Sequence, residues 1–77
     1  MDYQVTLYDK SGKYRAVSAV VHKPTECDLT DKATRKALIS AGTIKICQAR
    51  RWSKNDLVRY NYLTAKVREY PIKKERE

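Results

Sequence analysis

A chain of 77 residues, 34% of them charged, has room for one small core and is too short for a multi-domain enzyme. It carries 17 Lys and Arg against 9 Asp and Glu, a formal net charge of +8 at pH 7, and no apolar run approaches the ~18 residues of a membrane span. The N-terminal Met1-Asp2-Tyr3-Gln4 is not a basic region followed by an apolar stretch, so no signal peptide is expected and the expected location is the cytoplasm.

The positive charge is concentrated. Residues 32–74 hold twelve basic side chains and two acids, Asp56 and Glu69, while residues 1–31 are close to neutral. Charge confined to one part of a small domain builds a field that attracts polyanions. Cys27 and Cys47 stand twenty positions apart without a CxxC spacing, which reads as two reduced structural thiols. With His22 they match no zinc pattern, so no metal and no other cofactor is expected.

In chain order, residues 3–8 alternate with period two and are rich in β-formers, with Tyr3, Val5 and Leu7 on one face. Residues 14–22 read as the return strand of a hairpin whose loop is Lys10–Gly12. That loop pairs Val5 with Val17 and puts Val17, Ala19 and Val21 on the core side. Pro24 ends the strand. A helix is expected over 30–41, capped by Asp28 or Thr30, with Asp31 in its first turn. Ala33, Ala37, Leu38 and Ala41 form its apolar side, Ile39 falls on the basic side, and Gly42 is a left-handed stop. Residues 43–51 suit either a strand, from the alternation of Ile44 and Ile46, or a second helix, from the stripe Ala37, Ala41, Ile44, Cys47.

Ser53, Asp56, Trp52 and Leu57 give a capped and stapled start to a short helix over 53–60, and Asn61 can end it in the left-handed conformation. From 62 to 70 the alternation favours a strand over a helix, with Leu63, Ala65 and Val67 on one side and Tyr62, Lys66, Arg68 and Tyr70 on the other. Pro71 closes it, and 71–77 read as a frayed charged tail. The sum is an α+β fold: one basic domain over 1–70 with a mostly antiparallel sheet.

No paired carboxylates, Gly-rich phosphate loop, nucleophile elbow or metal-ligand cluster occurs in the sequence, so a non-catalytic protein is expected. Three basic constellations point to nucleic acid, DNA or RNA. The strand face Tyr62, Lys66, Arg68 and Tyr70 alternates aromatic and cationic side chains, a pattern suited to stacking bases and neutralising phosphates. The same face also has a plainer reading, since an exposed strand needs solvated side chains. Lys45, Arg50, Arg51 and Lys54 surround Trp52 at the start of the short helix. A loose helix-turn-helix pattern over 43–60 would present Lys54, Asn55 and Arg59 to a major groove, with Arg51 in the place usually held by Gly. The expectation is therefore a small basic nucleic-acid-binding domain. The alternative is an adaptor or inhibitor that binds an acidic protein surface, with a second copy of the chain as a further candidate partner.

Overall fold

The computed structural model describes residues 1–70, so the expectation for the 71–77 tail lies outside the described residues. Its elements run β1 (Asp2–Tyr8), β2 (Val17–His22), α1 (Lys32–Arg50), α2 (Lys54–Arg59) and β3 (Thr64–Tyr70). The three strands form one antiparallel sheet in the order β2-β1-β3, with α1 packed on one face. The α+β architecture read from the sequence is the one observed.

Alternation fixes which face of the sheet is covered. Tyr3, Val5 and Leu7 of β1 are buried, as are Val17 and Val21 of β2. They meet Leu38 and Ile46 of α1 in two adjoining clusters, one around Val5 and Leu38, the other around Leu7, Ile46 and Tyr62. The hairpin register differs from the expected one by two residues: Val5 pairs with Ala19, and Leu7 with Val17. A shift of two keeps every side chain on its face, so the expected core side of β2 survives.

The register moves because the loop is longer than a tight hairpin. The buried carboxylate of Asp9 accepts hydrogen bonds from the N–H groups of Ser11, Lys13 and Tyr14, at 2.8, 3.1 and 3.2 Å. Those donors are thereby drawn away from the strand ladder. Gly12 takes a left-handed φ of 78° inside this loop. Asn61 adds a hydrogen bond to Asp9 at 2.6 Å, tying the loop to the chain between α2 and β3. Bonding to Ser11, Asn61 and the Ser11 and Tyr14 N–H groups outweighs burial and pulls the Asp9 pKa down to about 2.

The helical layer departs further from expectation. Residues 32–50 form one helix that passes straight through Gly42. Gly42 is needed there for closeness rather than for a left-handed stop. A Cβ at this position would lie 2.3 Å from the Cβ of Val5, so only glycine lets α1 rest on the central strand. The 43–51 segment is therefore helical up to Arg50, and the strand reading fails. Asp31, rather than Asp28 or Thr30, caps the helix by accepting from the Thr34 N–H at 2.9 Å. The inward stripe is Leu38, Gly42 and Ile46 at a spacing of four. Ile39 packs against the core, while Ala33 and Ala37 are exposed. Alanine-rich positions misled the phase because alanine is accommodated on either side of a helix.

Both helices end in one backbone device. Arg51 and Asn61 each take φ of 58°. The next residue's N–H then reaches back five positions: Trp52 to the Cys47 carbonyl and Tyr62 to the Leu57 carbonyl, both at 2.9 Å. The turn sends the rings of Trp52 and Tyr62 inward, where they stack with centroids 5.6 Å apart. One consequence corrects the expected C-terminal strand. It starts at Thr64, Tyr62 is buried at 7% exposure, and Leu63 is left 67% exposed. The left-handed turn at Asn61 breaks the alternation before the strand begins.

Candidate functional site

With α1 on one face of the sheet, the other face is covered by nothing among the described residues. Residues of even number in β1 and β3 point there. The pairings are Tyr8 with Thr64, Thr6 with Lys66, Gln4 with Arg68, and Asp2 with Tyr70. Ser18 and His22 extend the face across β2. Lys66 and Arg68 are exposed, and Tyr70 is 42% exposed.

The side chains on this face are organised. Arg68 Nε donates to Gln4 Oε1 at 3.0 Å, and Gln4 Nε2 donates to Ser18 Oγ at 3.5 Å, a polar ladder crossing all three strands. The Lys66 ammonium sits 5.4 Å from the centre of the Tyr8 ring. Gln4, Thr6, Tyr8, Ala16, Lys66 and Arg68 line a shallow depression of about 250 Å³. Tyr8, which lines it, and Tyr70, which does not, stand at opposite ends of the β1–β3 face, six residues or about 20 Å apart along the strands. Two cations therefore lie between two rings. At the far end Asp2 takes His22 Nδ1 at 2.7 Å, which accounts for the only histidine.

The other expected site residues lie elsewhere. Lys45, Arg50, Arg51, Lys54 and Arg59 belong to the helical layer, on the opposite side of the sheet from Lys66 and Arg68. The two groups do not merge into one patch. Lys45 Nζ donates to the Val20 carbonyl at 2.7 Å, covering the outer edge of β2. The Arg50 guanidinium lies 5.3 Å from the Trp52 ring centre. Arg59 reaches Asp56 at 3.2 Å and also approaches the Tyr60 ring. Tyr62 offers no stacking platform, because its ring is in the core and its hydroxyl donates to the Arg15 carbonyl.

Apart from Arg59, none of the expected basic site residues makes an ion pair among the described residues. Asp56 is already used: besides Arg59, it accepts the Ser53 N–H at 2.9 Å in the start of α2. Among the described residues the positive charge of the 32–70 segment is therefore largely without ion-pair partners. The helix-turn-helix pattern is met in outline, with Arg51 adopting the left-handed conformation of the usual glycine. Its second helix has six residues, about 9 Å in length, short against the ~12 Å width of a major groove.

No known protein-family model matches the chain, and neither a curated protein nor a solved structure matches it. The functional reading rests on the site alone.

Tyr8 and Gln4 are the residues of this face that sequence reading missed. Both lie on β1, whose alternation marks them as outward-facing. Their partnership with Lys66 and Arg68 follows only from β3 pairing with β1, a long-range contact no local pattern reveals. Among the described residues no cluster of three His, Cys, Asp or Glu side chains is placed to hold a metal ion, and no helix is long and apolar enough to cross a membrane. Cys27 and Cys47 are both free thiols.

Proposed function

We propose that this protein binds single-stranded nucleic acid on the open face of its sheet. The observation that carries this reading is the face left uncovered among the described residues, on which Lys66 and Arg68, without an acidic partner among those residues, lie between the rings of Tyr8 and Tyr70. Bases with exposed π-faces stack on tyrosine rings, and the cations between the rings neutralise the backbone linking those bases. A duplex hides the faces of its bases inside its stack, so rings on an open sheet face gain much less from it. The polar ladder from Arg68 to Ser18 holds donors and acceptors at fixed positions across the strands. Such positions favour hydrogen bonding to base edges.

Fluorescence anisotropy with labelled single strands of DNA and RNA, and with the matching duplexes, tests the reading at several salt concentrations. The expected result is preference for a single strand over its duplex. Replacing Tyr70 by alanine should weaken single-strand binding by roughly 1–3 kcal/mol, the range for loss of one stacked base. Equal affinity for both forms, or no effect of Tyr70→Ala in a folded protein, would remove the basis of the reading.

A further inference from the structure

A second surface, on the helical side, has no part in the open face. Ile44 of α1, Val58 of α2 and Leu63 before β3 are 57%, 64% and 67% exposed. Single exposed aliphatic side chains are ordinary. These three border one groove of about 650 Å³, with Trp52 in its wall and Arg51 and Lys54 among its lining residues. The groove exists because the left-handed turn at Arg51 swings α2 away from the line of α1, leaving a trough between the helices. None of the three aliphatic side chains belongs to the two buried clusters.

We propose that this groove receives an acidic amphipathic helix from a protein partner. A trough between two helices, bordered by aliphatic side chains, suits the apolar stripe of one incoming helix with anchors at positions i, i+3 or i+4, and i+7. Charge selects the kind of helix. Arg51 and Lys54 make no ion pair among the described residues, and the groove lining contains no acid. A second copy of the chain docking on a twofold axis would bring Arg51 and Lys54 against their own equivalents, in a protein of net charge +8. A nucleic acid would satisfy the two cations but offer nothing to the aliphatic border. An acidic amphipathic helix satisfies both at once.

Trp52 is the only tryptophan and lines the groove, so its emission reports occupancy directly. The probe is an 18-residue peptide with Leu at helical stripe positions and Glu elsewhere, compared with a Lys-for-Glu version and with a scramble of the Glu peptide. Titration of the full chain should shift Trp52 emission with the Glu peptide alone. Val58→Asp and, separately, Ile44→Ser should each weaken that binding at least tenfold while leaving circular dichroism unchanged. Both variants should bind a single-stranded oligonucleotide as the parent does, which separates this surface from the open face. Equal binding of the scramble would assign the effect to bare charge and overturn the proposal. So would indifference to both substitutions, or a dimer in sedimentation equilibrium that Val58→Asp dissociates.

Discussion

Substituting Gly42 by alanine sets two opposing effects against each other. In an open helical position the change stabilises by about 1 kcal/mol, because glycine is the poorer helix former. At Gly42 the added methyl carbon falls 2.3, 2.5 and 2.8 Å from the Cβ, Cγ2 and Cγ1 of Val5. Carbon atoms in contact prefer about 3.5–4.0 Å, so helix and strand must separate by about 1 Å or more. Val5 cannot retreat: it is fully buried and sits in the central strand, paired with Ala19 on one side and Val67 on the other. Overpacking of this kind costs up to about 3 kcal/mol. Subtracting the propensity gain leaves a net loss of about 2 kcal/mol. For a domain of this size that is a fall of roughly 8–16 °C in Tm.

Thermal and urea unfolding followed by circular dichroism measure this loss. Ala37→Gly on the exposed side of the same helix supplies the propensity effect alone, a loss of about 1 kcal/mol. Gly42→Asn separates steric closeness from a left-handed stop. Asparagine is tolerated at a left-handed helix end but is larger than alanine, so here Gly42→Asn should be the worse of the two. A Gly42→Ala protein as stable as the parent, or an asparagine variant better than the alanine one, would refute the close approach of α1 to β1.

Further outcomes follow from the same structure. Asp9 has a depressed pKa in the folded state, so its stabilising effect is complete above the ordinary carboxylate range near pH 4 and is lost as pH falls through about 2. Asp28 and Asp31, lowered mainly by hydrogen bonds from Thr30 and Thr34, act in the same direction. Asp9→Asn should lower Tm at neutral pH and flatten the acid end of the Tm–pH curve. Tyr62→Phe leaves the Arg15 carbonyl without its donor and should cost about 1 kcal/mol in urea unfolding, with the fold retained. Removing Lys66 and Arg68 together should reduce the log–log salt slope of single-strand binding by about 1.4, at about 0.7 per phosphate contact. An unchanged slope would mean that neither side chain meets a phosphate.

Sequence pattern revealed the parts of this fold that depend on local rules. The period-two alternation of β1 and β2 gave the correct faces even though the hairpin register moved, because a two-residue shift preserves parity. Ser53 and Asp56 marked the start of α2, and Asn61 marked its end. What local rules could not show was closeness in space. Gly42 carries the same sequence signal whether it ends a helix or lets that helix lie against a strand, and only the position of Val5 separates the two. Tyr62 and Leu63 exchanged roles for a related reason: the alternation that placed them extends past a left-handed turn at which a strand cannot begin. For the candidate site, Lys66, Arg68 and Tyr70 were legible as one face of β3. Their neighbours Tyr8 and Gln4 were not, because strand order is a tertiary property. The helical-layer cations were legible only as charge, and the sheet divides them from Lys66 and Arg68.

Paired charge reversal measures the central claim most directly. Lys66→Glu/Arg68→Glu and Arg50→Glu/Arg51→Glu make the same change in net charge on opposite sides of the sheet. Single-strand affinity, measured at one fixed salt concentration, should fall by at least tenfold in the first variant and only modestly in the second, through the weakened overall field. Equal losses would mean that net charge alone drives binding, and a larger loss in the Arg50/Arg51 variant would move the site to the helical layer and contradict the assignment to the open face.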